Sequence, residues 1–149
     1  MHDHTYLFSG LRNAPRQLKK DMSAIVDAFM PMKPGEWNLH QIVFHMRDVN
    51  AEVYLPRLKR IVESWNPTFV NFDGEQWMVT HYNAGENLDA MVNELTLQCE
   101  ETAAWLESLP ETAWERPGTH PSLGTRTLEW WAGLTLKHIE EHLAQVREE

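Results

Sequence analysis

Apolar residues recur along this chain at alternating three- and four-residue intervals in four separate stretches, a period that points to amphipathic helices rather than strands. In the first stretch, Leu11, Leu18, Met22, Ile25 and Phe29 follow helical spacing and predict a helix from about Asn13 to Met30. Asn13 is placed to cap it, Pro15 falls in its first turn, and Pro31, Pro34 and Gly35 end it. The second stretch starts at Asn38, where Gln41 completes a variant of the capping box and Trp37 and Ile42 are spaced as a hydrophobic staple. Its buried stripe is Leu39, Ile42, Met46, Val49 and Val53. Pro56 falls inside the pattern. Its nitrogen cannot donate to the carbonyl four residues back, so it is expected to kink the helix or restart it before the pattern resumes to about Ser64.

A third helix is expected from near Asn87, with Leu88, Val92, Leu95, Cys99, Thr102, Leu106 and Leu109 along its seam and Pro110 as its stop. A fourth runs from about Thr127 nearly to the end, with Leu128, Ala132, Leu136, Ile139, Leu143 and Val146 as its stripe. Between the second and third lies a connection of roughly twenty residues, Trp65 to Glu86, with turn signals at Asn66-Pro67 and Asp73-Gly74. A short helix around Glu75 to His81 relieves part of it; long connections of this kind are often functional. Another connection, Pro110 to Arg126, is rich in Pro, Gly, Ser and Thr, and strand signals are scarce throughout. Four narrow apolar seams bury themselves best against one another. The expected fold class is therefore all-α, a four-helix bundle whose two long connections allow crossover rather than up-and-down order.

Composition narrows the function. The 149 residues suit one domain, 1–149, and 42% of them are apolar. A formal net charge of -9 repels phosphate backbones and anionic headgroups, which argues against nucleic-acid and membrane partners. No apolar run approaches the ~20 residues of a membrane span, and Met1 to Gly10 lacks the basic and apolar regions of a secretory signal. The single cysteine, Cys99, excludes an intramolecular disulfide and fits a reducing, cytoplasmic setting. His2 and His4, flanking Asp3, read as a solvated and mobile terminus.

The chemistry lies in three histidines. His138 and His142 are four residues apart and share one helix face, at the edge of the apolar seam; that spacing lets two imidazoles bind one metal, and it also suits two core-edge histidines. Ile139 follows the first of them where a zinc protease would carry glutamate, so protease chemistry of that kind is disfavoured. In the second helix His45 stands on a polar flank with Gln41, Asp48 and Glu52. Asp48, one turn from His45, reads as an acceptor fixing a ring tautomer, as an alternative ligand, or as part of a solvated face. His40, His81 and His120 are weaker candidates, read as ordinary hydrogen-bonded or surface residues.

Trp37-Asn38 followed by His45, and then His138-Ile139-Glu140-Glu141-His142, resembles the DinB/YfiT-like superfamily of metal-dependent enzymes. The segment from Arg57 through Asn66-Pro67-Thr68 to Asp73 and Trp77 resembles its YfiT branch. The resemblance implies a four-helix bundle with a long crossover, and a divalent metal, zinc or nickel foremost with iron or manganese as alternatives, held by His45, His138 and His142. It implies a small-molecule substrate, a low-molecular-weight thiol in some members, and a homodimer. The expected activity is that of a metal-dependent transferase of the thiol S-transferase type, or of a hydrolase, in which the metal site activates a thiol or water. Asp48 would orient a ligand or accept a proton, and Arg57 would hold a carboxylate of the cosubstrate unless it forms a surface ion pair. The competing expectation is a non-catalytic metal- or ligand-binding stress-response bundle.

Overall fold

A computed structural model describes residues 3–147. Its elements are α1 (Thr5–Met22), α2 (Leu39–Val49), a π-helical turn (Asn50–Tyr54), α3 (Leu55–Glu63), α4 (Gly74–His81), α5 (Leu88–Glu107), a 3-10 turn (Glu111–Glu115), β1 (Pro117–His120), β2 (Gly124–Thr127) and α6 (Leu128–Arg147). The four members of the bundle are α1, the continuous α2–π–α3 rod, α5 and α6. α1 packs chiefly against α5 and α6, and the rod meets the same two helices from the other side. α1 and the rod are thus diagonal in space, as are α5 and α6, while the rod and α5 are neighbours, an order that a crossover produces.

α1 starts and stops about eight residues before its sequence-predicted bounds. Leu7 and Leu11 are fully buried and extend the apolar stripe upstream, while the Asp3 carboxylate accepts the Thr5 amide (2.9 Å) at the entry. Asn13 is an exposed mid-helix residue rather than a cap, and Pro15 sits buried inside the helix. Lys19 and Lys20 meet the negative end of the helix, and the Ser23 hydroxyl takes the Lys20 carbonyl (2.6 Å). Ile25 and Phe29, read as later turns of this helix, lie in an irregular segment that leads to α2. His4 is also unlike the solvated residue expected. It is buried, stacks on Trp114 (3.7 Å between ring centroids) and lies within ion-pair distance of Glu129 (2.9 Å). His2 lies outside the described residues.

The capping box at α2 forms as spaced: Asn38 Oδ1 accepts the Gln41 amide (2.8 Å) and Gln41 Oε1 accepts the Asn38 amide (2.9 Å). The expected break at Pro56 takes the form of a π turn, after which Pro56 occupies the first turn of α3, where its missing N–H costs least. Widening the helix by one residue rotates everything after it by about 100° relative to an unbroken α-helix.

The second long connection is more structured than its composition suggested. β1 and β2 form an antiparallel hairpin, and the Phe69 amide joins it by donating to the Thr119 carbonyl (2.7 Å). The Trp131 indole of α6 donates to the carbonyls of Gly118 (3.2 Å) and Arg126 (3.1 Å), which fixes the hairpin to the bundle. Gly118 is required by closeness: a Cβ there would lie 2.8 Å from Phe69 and 2.9 Å from Ile61. Asn66 turns the chain at φ 47°, a left-handed conformation that asparagine tolerates. These contacts place Asn71, Phe72 and Asp73 beside the bundle.

Candidate metal centre

α2 carries His45, and α6 carries His138 and His142 one turn apart. Packing of the two helices brings one nitrogen from each of the three rings within 4.8 Å of the others. Ring centroids are separated by 4.7 Å (His138–His142), 4.8 Å (His45–His142) and 5.4 Å (His45–His138). The closest approach is between His142 Nε2 and His138 Nε2, at 3.2 Å.

The surroundings set the state of each ring. His142 Nδ1–H donates to Gln145 Oε1 (2.9 Å), which turns the Nε2 lone pair toward His138. His45 is buried; its ring packs against Trp37 (4.9 Å), and a Cβ on Gly74, the first residue of α4, would lie 3.2 Å from its Cε1. His138 packs against Tyr54 (4.8 Å) from the π turn. Burial, with the neighbouring His142, pushes His45 down to about 4; burial, with His142 and His45, pushes His138 down to about 3. His142 is lowered by burial against the opposing pull of Gln145 and Glu141. At neutral pH His45 and His138 are therefore uncharged, the form that ligates metals.

This donor set fits a divalent cation. Two nitrogens each about 2.0–2.1 Å from one tetrahedral ion are about 3.3 Å apart, close to the 3.2 Å seen between His138 and His142. His45 Nδ1 is buried without a hydrogen-bond partner among the described residues, which a purely structural cluster would not favour. Three imidazoles suit zinc, nickel, iron or copper. His45 and His142 stand in the wall of an open cleft of about 880 Å³, with Trp37, Phe72, Asp73 and Gln145.

Asp48 points elsewhere. Its Oδ1 accepts Arg47 Nε (2.8 Å) and its Oδ2 accepts the Trp77 indole N–H (2.8 Å), so it ties α2 to α4. Arg47, buried and paired with Glu86 as well, closes this network over the 83–86 segment. Arg57 is half-buried, donates to the Val70 carbonyl (3.2 Å) and lies over the rings of Tyr54, Phe69 and Trp131 at 5.5–5.8 Å; among the described residues it makes no ion pair. His40 is a buried structural residue, donating from Nε2 to the Glu86 carbonyl (2.6 Å) and accepting the Tyr82 hydroxyl at Nδ1 (2.6 Å). His81 stacks on Trp77 at 3.6 Å. Sequence reasoning passed over Gln145, Tyr54 and Gly74. Gln145 was within reach, since it follows His142 by three residues on the same helix face; Tyr54 depends on the π turn and Gly74 on the return of the long connection.

Comparison with known proteins gives this geometry a context. Residues 11–146 match the DinB superfamily. The Bacillus subtilis protein YfiT, which carries a provisional name as a metal-dependent hydrolase, is 26% identical over 144 residues, covering 93% of this chain and 79% of its own. A Bacillus licheniformis protein with the same provisional name is 26% identical over 145 residues, with 92% and 79% covered. The solved structure of B. subtilis YfiT, described as a four-helix bundle of unusual topology, superposes with a TM-score of 0.86 at 23% identity, covering 97% of this chain and 83% of that one.

Proposed function

The chain belongs to the DinB superfamily, and on that premise we propose that it is a metal-dependent enzyme that binds one divalent ion through His45, His138 and His142 and acts on a small-molecule substrate in the adjoining cleft. The observation that carries this reading is the 3.2 Å approach of two histidine Nε2 atoms, one of them oriented by Gln145, at the wall of an open cleft. A divalent ion held by neutral ligands keeps its charge and supplies Lewis acidity, which lowers the pKa of water or a thiol. The protein's own residues do the rest. Gln145 holds the His142 tautomer, Trp37 and Gly74 shape the seat of His45, and Tyr54 backs His138. Asp48 is a positioning residue: it anchors the α4 tryptophan and so the segment that forms the far wall of the cleft.

The reaction is thiol transfer or hydrolysis. The cleft volume lies within the range of drug-sized ligand sites and leaves room for two reactants, which supports a thiol cosubstrate; the provisional names of the Bacillus relatives support water. A homodimer and a cytoplasmic setting belong to the same proposal. Metal analysis of purified protein, loaded with zinc or nickel, is expected to give one ion per chain, lost in His138→Ala and His142→Ala. Turnover of an electrophile that requires added thiol identifies transfer, and turnover without thiol identifies hydrolysis. Protein that takes up no ion under any loading condition, or an ion that survives both substitutions, would refute the reading.

A further inference from the structure

Beside Tyr54 lies a second cavity of about 270 Å³ whose lining includes Arg57, Asn71, Phe72, His120 and Ser122. Asn71 and Phe72 also line the cleft of the histidine site, so the two spaces share a wall. Three features of the small cavity stand together. The chain carries 22 acidic against 13 basic residues, yet among the described residues no carboxylate pairs with Arg57; its guanidinium makes one hydrogen bond, to the Val70 carbonyl, and is otherwise framed by aromatic faces. A half-buried cation left without a counter-charge costs free energy that a ligand anion would recover. His120 supplies a second donor. Its Nδ1 accepts the amides of Ser122 (3.0 Å) and Leu123 (3.2 Å), so in the neutral ring the proton is on Nε2, and burial beside Arg57 keeps the ring neutral. The Asn71 side chain and the Ser122 hydroxyl add short polar groups to the same wall.

We propose that this cavity is a carboxylate subsite, in which the Arg57 fork and the His120 Nε2–H grip the acid group of a substrate or cosubstrate whose reacting end lies at the histidine centre. One planar cation beside aromatic walls matches a monoanionic, planar carboxylate better than a phosphate, which carries more charge than a lone arginine offsets. The reach is suitable: Arg57 Cζ is 5.8 Å from the Tyr54 ring, and that ring is 4.8 Å from His138, so cation and histidine are at most about 10.6 Å apart. The substrate class is thus a small acid with its carboxylate a few bonds from the electrophilic or nucleophilic atom. This assignment rests on the metal-enzyme reading for the reacting end only; the grip on the carboxylate does not need the ion.

The test is a calorimetric and NMR titration of chelator-treated full-length protein with benzoate, benzamide and inorganic phosphate. Benzoate is expected to bind and to shift the Trp131 indole and His120 signals, with affinity falling at least tenfold in Arg57→Gln and benzamide binding far more weakly. In the unsubstituted protein, benzoate should also slow modification of Arg57 by phenylglyoxal, a measurement that holds even if Arg57→Gln fails to fold. Equal binding of benzoate and benzamide, undiminished benzoate binding in Arg57→Gln, or preference for phosphate would overturn the subsite. Because the ion is absent, the two readings fail separately: protein that binds benzoate but no metal keeps the subsite and loses the metal centre, and protein that binds metal but no benzoate does the reverse.

Discussion

Acid should destabilise the metal-free protein before its carboxylates are titrated, and the histidine centre sets how much. In the unfolded chain a histidine takes up its proton near pH 6.5; in the fold, His45 does so only at about 4 and His138 at about 3, because burial and the neighbouring imidazoles disfavour the cation. Between those values the unfolded chain holds more protons, so stability falls as pH falls. The contribution is intact above pH 6.5, declines from there, and levels off once the folded rings protonate. At pH 5 each of the two rings accounts for about 2 kcal/mol, or about 4 kcal/mol together relative to pH 7, against a total stability of about 5–15 kcal/mol for a typical domain. Urea unfolding of chelator-treated protein between pH 7 and 5 measures this directly. His138→Gln removes one titrating ring and leaves the main causes of the His45 shift, burial and His142, in place; the loss between the two pH values should therefore shrink by about 2 kcal/mol. An identical pH dependence in the substituted and unsubstituted proteins would show that the rings are not buried together as described.

Three further outcomes follow from the same contacts. Gln145→Leu removes the acceptor that orients His142 and should weaken zinc binding by about 10- to 100-fold, read by chelator competition, while urea unfolding of the metal-free protein changes little. Gly118→Ala drives a methyl group against Phe69 and Ile61 and should cost about 1–3 kcal/mol in urea unfolding; an unchanged midpoint would contradict the close packing of the hairpin on α3. Asp48→Asn keeps an oxygen for the Trp77 indole and should preserve metal affinity and Trp77 environment, whereas Asp48→Ala should alter Trp77 fluorescence. If Asp48→Asn abolished turnover with metal affinity and tryptophan fluorescence intact, Asp48 would be a proton acceptor and not a positioning residue.

Much of the architecture was local enough to be read from the residues alone. Apolar spacing located the four bundle members, because a seam three and four residues apart can be buried only as a helix face. Asn38 with Gln41 marked one helix start through two hydrogen bonds made within a single turn. Pro56 marked a break because its nitrogen has no proton to give. The pairing of His138 with His142 needed no more than the helical repeat. Other features waited on the fold. The start of α1 moved because Leu7 gains its burial from other helices, which spacing around Asn13 does not register. The form of the Pro56 break, a π turn, decided that Tyr54 backs His138 and that Arg57 faces aromatic rings instead of a surface carboxylate. Whether His45, some ninety residues earlier in the chain, meets the other two is a matter of how two helices pack, and whether Asp48 serves the site depends on where the long connection sets the short helix that carries Trp77. Hydrogen bonds and apolar faces within a turn are specified by neighbours in the chain; the convergence of distant side chains is specified only when the whole core closes.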